Sequence, residues 1–377
     1  MPTVSEVLAA LHRSAPAGSA ATWDATGLAV GDPSAEVTGV LVALDLTPAV
    51  VDEAAAIGAS LVLTHHPLLF KPPKRITADD PVGALVLALA SRGIATASAH
   101  TNLDVAPDGV SVALAKQLGL TGVRVLAPTD HADRKVVVTV PSDHADALRF
   151  ALTEAGGGRI GAYAGCSFSS AGEGRFLPLD GASPAVGAVG QPETTDEVRI
   201  EVVVPSWLVA DVRRAIARAH PYETPAVDVY VLEGAAVGPE GYGAVGVLPA
   251  PEPLAAFLDR VRDRLDAPGL RYVADDARAV SRVAVCGGSG LSFLPAVIAA
   301  NADAYVTADV TYHRWFEALD AAGRPRLALV DAGHYETERV AERLLAKIVG
   351  AAFPGLPVTV TRHRTSPVRG WGIRDRG

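Results

Sequence analysis

The chain has 377 residues, of which 49% are hydrophobic, and it carries a net charge of −9. This length allows two or three domains with a large buried core. No apolar run reaches the roughly 20 residues needed to cross a bilayer, and the amino terminus lacks a signal-peptide pattern. Without a Lys/Arg cluster, a dedicated nucleic-acid surface is not expected, although a local basic cleft for a phosphate stays open. The two cysteines, Cys166 and Cys286, favour a reducing, cytoplasmic location.

The first part of the chain alternates helical periodicity with short apolar runs. Thr47 with Pro48 marks the start of one helix, and Gly93 marks the end of another. The stretch 23–31, which contains two glycines, is predicted to be a loop. The predicted helices are 4–12, 47–57, 81–91 and 109–118, and the predicted strands are 37–44, 61–63 and 94–99.

The pattern changes near Pro128 and returns after Gly243. A Gly- and Ser-rich stretch, 155–190, is predicted to contain one or two strands and a mobile tip. The middle segment otherwise predicts strand 135–140, helix 143–154, strand 197–204, helix 206–220 and strand 226–232, which is the ferredoxin-like order. The last segment predicts helix 254–265, strand 281–285, helix 291–300, strands 304–307 and 326–330, a helix ending near 350 and strand 358–361.

Strands alternating with helices imply parallel pairing. We therefore predict an α/β protein with a duplicated α/β core and mostly parallel sheets, interrupted by an α+β ferredoxin-like insert. The core would comprise residues 1–128 and 241–377, and the inserted domain residues 129–240. The duplication is inferred from the similar layout of the two core segments, each with polar residues where strands end.

Two adjacent histidines, His65 and His66, follow the apolar run 61–63 and precede Pro67, which cannot extend a strand. They therefore lie at the carboxyl end of a strand, where open α/β sheets place their ligands. Because adjacent residues leaving a strand point apart, this pair can reach two neighbouring ions. A histidine pair at a strand end can also be incidental.

Two other predicted strand ends carry potential ligands. His100 and Asp104 follow strand 94–99, and His334 and Glu338 follow strand 326–330 at a helical i, i+4 spacing. Imidazole nitrogen and carboxylate oxygen suit zinc, manganese, iron or cobalt, and the short Asp104 side chain could bridge two ions. In the alternative reading, His100 is a core histidine, Asp104 caps a turn and Glu338 faces solvent.

Two further features follow strands. Gly287-Gly-Ser-Gly290 could cradle a phosphate, but it lacks the spacing of known nucleotide-binding loops and is more typical of a tight turn. Asp309 and His313 could line the same cleft as an acid or base, or they could stabilise a helix start. No nucleophile-elbow motif supports a Ser-His-Asp or Cys-His arrangement.

At these residues the chain resembles the Nif-three-like family, the GTP cyclohydrolase 1 type 2 homologues. The matching stretches are Trp23-Asp24, Thr64-His-His-Pro-Leu-Leu-Phe70, His100-Thr-Asn-Leu-Asp104, Gly287–Gly290, Asp309-Val-Thr-Tyr-His313 and Gly333-His-Tyr-Glu-Thr-Glu338. The insert, with His220-Pro-Tyr-Glu-Thr-Pro225, resembles the signalling and copper-tolerance-like domain of longer bacterial members. The chain departs from the family at Ala25, where an Asn is usual, so substrate recognition at that edge is in question.

The resemblance implies a dinuclear site with two divalent transition-metal ions per chain. It also implies a toroidal homohexamer whose metal sites face an internal cavity. No membrane partner and no dedicated nucleic-acid surface are predicted. The implied metal ligands are His65, His66, Asp104, His334 and Glu338.

Two functions fit these observations. The first is a metal-dependent hydrolase acting on an unidentified small molecule, in which His100, Asp309 or His313 shuttles a proton. The family name implies opening of the purine ring of GTP, but no guanine-reading motif is found; phosphoester or amide hydrolysis would use the same site. The alternative is a non-enzymatic, metal-responsive binding or regulatory hexamer, with the insert as a ligand sensor or a partner surface.

Overall fold

The computed structural model describes residues 1–129, 133–161, 163–233 and 240–369. The chain packs as two compact units, one formed by residues 1–129 with 238–377 and the other by residues 130–237. We call the first the core unit and the second the insert.

The secondary structure is mixed, and no helix in the described ranges is both long and apolar enough to span a bilayer. The strands are β1 (Gly27–Val30), β2 (Val40–Ala43), β3 (Leu61–Thr64), β4 (Ala95–Ser98), β5 (Thr121–Pro128), β6 (Arg134–Pro141), β7 (Ser167–Phe176), β8 (Glu193–Val204), β9 (Val227–Val231), β10 (Gly241–Pro253), β11 (Arg271–Val273), β12 (Ala279–Val285), β13 (Ala304–Thr307), β14 (Ala328–Asp331) and β15 (Val358–Val360). The helices are α1 (Val4–Ser14), α2 (Pro48–Ile57), α3 (Pro81–Arg92), α4 (Thr101–Asp104), α5 (Val110–Gln117), α6 (Ala145–Glu154), α7 (Val209–Ala219), α8 (Leu254–Leu265), α9 (Leu294–Ala299), α10 (His334–Glu338) and α11 (Val340–Ala352).

Local signals in the sequence set several helix ends. The Thr47 side chain accepts a hydrogen bond from the Val50 N–H, and Pro48 occupies the first turn of α2. Gly93 ends α3 in the left-handed conformation with φ of 65°, which costs glycine little. These boundaries agree with the sequence predictions because each depends on contacts within a few residues.

The core unit contains two sheets of matching layout. The first has the strand order β1-β4-β3-β2-β15, and the second has the order β11-β14-β13-β12-β10-β5. In each, three successive strands pair in parallel and a preceding strand pairs antiparallel at the edge. Strands β1 to β4 therefore correspond to β11 to β14, and the predicted duplicated α/β core is confirmed.

Some strands were not predicted from the sequence. Residues 23–31 are not all loop, because Gly27–Val30 forms β1 and pairs with β4 across a bulge. The predictions also lacked β5, β10 and β11. These strands have glycines, prolines or too few residues to show a period-2 pattern, and pairing with distant partners stabilises them. In the sequence, the insert lies between β5 and β10, which pair antiparallel in the second sheet of the core unit.

One apolar core joins the two sheets of the core unit. It contains Leu61 and Leu63 of β3, Val283 and Val285 of β12, and residues of α1, α5, α8 and α11. Full burial of each such side chain contributes roughly 1.5–3 kcal/mol. This shared core holds the two sets of strand ends in one structure.

The insert is a four-stranded antiparallel sheet with two helices. Its strand order, β7-β8-β6-β9, and its β-α-β-β-α-β succession are those of a ferredoxin-like fold. His220 is buried, with Nε2 2.8 Å from the Thr139 carbonyl oxygen, and the Tyr222 hydroxyl donates to Glu197 at 2.9 Å. The first residues of His220-Pro-Tyr-Glu-Thr-Pro225 therefore stabilise the insert internally.

A buried carboxyl group predicts a pH effect on stability. Glu342 on α11 is 5% exposed, its Oε1 accepts the Leu44 N–H at 3.1 Å, and burial raises its pKa from 4.5 to about 7. Between these values the folded state binds a proton more tightly than the unfolded state, so stability falls as pH rises through this range.

Glu342→Gln keeps an acceptor oxygen but cannot ionise, so we expect its stability not to fall with pH through this group. Its unfolding free energy relative to wild type should increase between pH 5 and pH 8, by on the order of 1–3 kcal/mol. Urea denaturation at both pH values measures the change, with the exposed Glu154→Gln as the control. An equal difference from wild type at pH 5 and pH 8 would contradict the assignment.

Candidate metal centre

Four histidines meet at the carboxyl ends of the parallel strands of the core unit. His65 and His66 follow β3, His100 follows β4, and His334 begins α10 after β14. Neighbouring imidazole ring centroids are 5.1–5.6 Å apart. Parallel strands bring their carboxyl ends to one edge, and the shared core brings the two edges together.

Each of these rings is oriented through Nδ1. The partner of Nδ1 is a carbonyl oxygen in one ring and a carboxylate oxygen in the other three, and neither kind of oxygen can donate a hydrogen bond. Nδ1 therefore carries a proton in each ring, and Nε2 is the nitrogen that faces the other groups of the cluster. The Nδ1 distances are 2.8 Å from His65 to the Ala99 carbonyl oxygen, 2.6 Å from His66 to Asp45, 2.8 Å from His100 to Asp24 and 2.7 Å from His334 to Asp309.

Two carboxylates lie among the Nε2 atoms. Glu338 Oε2 is 2.9 Å from Nε2 of both His66 and His334. Its other oxygen, Oε1, is 3.9 Å from His65 Nε2, and Asp104 Oδ1 is 3.6 Å from the same nitrogen. Glu338 therefore faces two groups of donors, one with each oxygen.

The Nε2 atom of His65 is an orphaned polar atom. The residue is 0% exposed, and Nε2 has no hydrogen-bond partner within the described residues. An unsatisfied buried polar atom costs roughly 1–3 kcal/mol, so such atoms are rare without a functional reason. A cation among His65, Asp104 and Glu338 would use this lone pair.

Three overlapping groups could each hold a metal ion. In each group, one ligand atom per residue lies within 4.8 Å of the others. Imidazole nitrogens and carboxylate oxygens together suit borderline transition metals. The groups are His65, His66 and His100; His66, His334 and Glu338; and His65, Asp104 and Glu338.

The pKa values of the cluster reflect this crowding. Burial opposes the charged imidazoles, but hydrogen bonds to carboxylates outweigh it and raise the pKa of His66 to about 10 and of His334 to about 9. Burial raises the pKa of Asp104 to about 6. Burial also opposes ionisation of Glu338, but the hydrogen bonds from the histidines hold its pKa well below the usual value.

The duplication relates two of the ligand pairs. His100 precedes α4 and Asp104 ends it, after β4, whereas His334 begins and Glu338 ends α10, after β14. Both pairs have the i, i+4 spacing, and both histidines have an aspartate at Nδ1. The two halves thus contribute equivalent His-carboxylate pairs to one cluster.

A cleft of about 670 Å³ opens over the cluster. One wall has Trp23 and Phe70 in an edge contact, with ring centroids 5.9 Å apart, and another has Tyr242 stacked on Phe293 at 5.1 Å. Ser111, Ser289 and Ser292 add hydroxyl groups, and no Lys or Arg is among the described residues that line the cleft. Its walls are therefore aromatic and hydroxylic around an acidic floor.

The Gly-rich loop after β12 closes against the cluster. The Gly288 N–H donates to the Thr337 hydroxyl at 3.0 Å, and the Gly290 N–H donates to the Thr307 hydroxyl at 2.9 Å. These donors are used internally, which favours the turn reading of this loop over the phosphate cradle. Gly288 has φ of +60°, and a Cβ there would lie 2.1 Å from Glu338 Oε1.

The three predicted proton carriers have different surroundings. His100 lies in the cluster and lines the cleft. Asp309 is exposed, with φ of 56°, and its carboxylate contacts His334 Nδ1. His313 is exposed in the 3₁₀ segment Tyr312–Ala318, packs against Tyr312, and does not line the cleft.

Two aspartates near the cluster had no predicted role. Asp45 lies two residues after the end of β2 and contacts His66, so its place near a strand end was a signal that could have identified it. Asp24 contacts His100 and accepts from the Thr101 hydroxyl at 2.5 Å. The Ala25 N–H donates to Asp24 Oδ1 at 2.7 Å. Because this contact uses the backbone, it does not depend on which side chain occupies position 25.

Comparison with known proteins identifies the family. A sequence model of the family Duf34/NIF3 (NGG1p interacting factor 3) matches residues 2–367. A Mycobacterium tuberculosis protein named GTP cyclohydrolase 1 type 2 homolog is 44% identical over 369 residues, which cover 97% of this chain and 96% of the relative. A Bacillus subtilis protein of the same name is 37% identical over 367 residues, covering 96% and 97%.

Solved structures agree with this match. A crystal structure of a Bacillus cereus protein related to NIF3 aligns with a TM-score of 0.77 at 37% identity, covering 98% of this chain and 99% of that chain. The resemblance predicted from the ligand motifs is therefore confirmed, and this chain belongs to the Duf34/NIF3 family of GTP cyclohydrolase 1 type 2 homologues.

Proposed function

We propose that this protein is a metal-dependent hydrolase that uses two divalent transition-metal ions, of zinc, iron, manganese or cobalt, per chain. The observation that carries the proposal is the orphaned Nε2 of His65 beside two carboxylates. A buried lone pair next to anionic oxygens is the environment that a cation satisfies.

The distances support two positions that share Glu338. His65, Asp104 and Glu338 Oε1 would hold one ion, and His66, His334 and Glu338 Oε2 would hold the other. The sequence pointed to Asp104 as a possible bridge, whereas the two oxygens of Glu338 face both donor groups. The acidic floor of the cleft favours cations electrostatically, since its described lining includes no Lys or Arg.

Divalent metal ions at such a site supply Lewis-acid polarisation and a water of lowered pKa. We assign proton transfer to His100. Asp24 holds its Nδ1, and the hydrogen bonds from His100 and Thr101 to Asp24 keep the pKa of that carboxyl far below its usual value despite burial. An ionised Asp24 orients the ring through Nδ1, and Nε2 is the nitrogen through which His100 would accept and return a proton.

Asp309 and His313 differ from His100 in this respect. Asp309 contacts Nδ1 of His334, so we assign it a positioning role for a metal ligand. His313 is exposed outside the lining of the cleft, and we assign it no step.

The cleft also bears on the substrate. The relatives' name points to GTP, whose purine ring would stack on an aromatic side chain such as Trp23 or Tyr242, both of which line the cleft. A triphosphate, however, finds no Lys or Arg among the described lining residues, and the N–H groups of Gly288 and Gly290 already donate to Thr337 and Thr307. Phosphoester or amide hydrolysis requires fewer counter-charges and would use the same groups.

A non-enzymatic, metal-responsive regulatory role is the second candidate. The observation in its favour is the insert, which is a separate unit with its own apolar core around Val138, Leu148 and Ile200. A domain with an independent core is suited to bind a ligand or partner by itself. The homohexamer implied by the family resemblance belongs to both candidates, and native mass spectrometry would test it.

The first prediction concerns metal content. We expect purified protein from metal-replete medium to carry about two transition-metal ions per chain, and we expect His65→Ala to lose them because it removes an inward-facing donor. Inductively coupled plasma mass spectrometry measures both, with the exposed His144→Ala as the control. Wild-type protein without bound metal would exclude the dinuclear site.

A second prediction concerns the loop that packs on Glu338. We expect Gly288→Ala to weaken metal binding by at least about tenfold, because the added Cβ overlaps Glu338 Oε1 and displaces a ligand. Gly93→Ala is the matched control, since Gly93 has a similar φ of +65° and a Cβ there meets no atom within 4 Å. Equal metal affinity in Gly288→Ala and wild type would show that Glu338 does not need its observed position.

The third prediction separates catalysis from binding. Metal-loaded protein would be assayed against GTP, phosphoesters and amides, and any turnover should disappear in Asp104→Ala together with metal. Asp24→Asn should keep its metal but lower kcat by about 100-fold or more, because the support of His100 is lost. Ligand binding without turnover in the wild type would favour the regulatory candidate instead.

A further inference from the structure

The described chain ends in a segment without helix or strand, residues 361–369, which we call the C-terminal strap. Its first residues are held by a buried carboxylate of the core unit. Glu53 on α2 is 7% exposed, and it accepts hydrogen bonds from the Thr361 hydroxyl at 2.5 Å and the Arg362 N–H at 3.3 Å. Burying a carboxylate requires such donors, so this anchor fixes where the strap begins.

The middle of the strap contacts α10. The Arg364 guanidinium pairs with Glu336 and lies 4.5 Å from the centre of the Tyr335 ring. Both partners lie within α10, which also carries the candidate ligands His334 and Glu338. Ion pairing and the cation–π contact together hold the strap against this helix.

The next residue of the strap, Thr365, is linked to the cluster through Asp45. Thr365 is 6% exposed, and its hydroxyl donates to Asp45 Oδ2 at 2.7 Å. The second oxygen of Asp45 lies 2.6 Å from His66 Nδ1. Thr365, Asp45 and His66 thus form a continuous hydrogen-bonded chain from the strap to a candidate metal ligand.

This chain restricts the carboxylate that orients His66. Asp45 is 35% exposed at its side chain, so without the Thr365 hydroxyl its Oδ2 would turn to water and the carboxylate could rotate. A rotating carboxylate would no longer hold the His66 ring in one orientation. Groups that orient a metal ligand in this way typically change metal affinity by about 10–100-fold when removed.

We propose that Thr365 is a positioning residue for the metal centre, and that the C-terminal strap and metal loading stabilise each other. The strap holds His66 through Asp45 and holds α10 through Arg364, so both sides of the cluster depend on its order. The proposal rests on the metal site of the proposed function and adds a remote segment that controls its affinity.

The test compares Thr365→Val, which removes the hydroxyl but keeps the shape, with Thr365→Ser, which keeps the hydroxyl. Thr359→Val is the matched control, because Thr359 is an exposed residue on β15. Metal affinity is measured by competition with a chromophoric chelator, and the visible spectrum of the Co²⁺-loaded protein reports the ligand geometry. We expect about tenfold weaker binding and an altered spectrum for Thr365→Val, with wild-type behaviour for Thr365→Ser and Thr359→Val.

A second measurement uses only the wild type and so does not depend on folding of a variant. Hydrogen exchange of the strap amides should slow when Zn²⁺ is added, because an ordered His66 favours an ordered strap. Wild-type metal binding with unchanged strap exchange, or Thr365→Val with affinity within twofold of wild type, would overturn the proposal and leave the metal site intact. Wild-type protein that binds no metal would overturn both.

Discussion

The candidate metal centre depends on the meeting of Glu338, which follows the second sheet, with His65 and His66, which follow a strand of the first. These residues are more than 270 positions apart, and Glu338 Oε2 still lies 2.9 Å from His66 Nε2. The contact exists because one apolar core, including Leu61 and Val283, holds the two sets of strand ends together. Loss of packing in that core would therefore change the distances between candidate ligands.

Protons and cations compete for this cluster. Without metal, the histidines can share protons with Glu338, which is why the pKa values of His66 and His334 are raised while that of Glu338 is lowered. Metal binding requires imidazole nitrogens without protons, so it would release protons and depend on pH. The Nδ1 partners, such as Asp45, would stay in place in both states and keep the rings oriented.

Features carried by neighbouring residues were predictable. The apolar run before His65, the capping by Thr47, and the spacing of His334 and Glu338 depend on local geometry, and the structure shows each of them. The role of Asp24 was not predictable, because its partner His100 is 76 positions away. The strand formed by residues 27–30 was missed for a similar reason, since pairing with β4 stabilises it.

The sequence by itself determined the family, the duplicated α/β layout and the residue types that end each strand, since periodicity, caps and motifs are encoded over short distances. Only the tertiary structure decided which oxygen faces which nitrogen. It placed both oxygens of Glu338 toward the histidines, left His313 outside the cleft lining, and joined Thr365 to Asp45. Those relations arise from packing between distant segments, where a shift of about one or two ångströms decides whether a side chain can coordinate an ion.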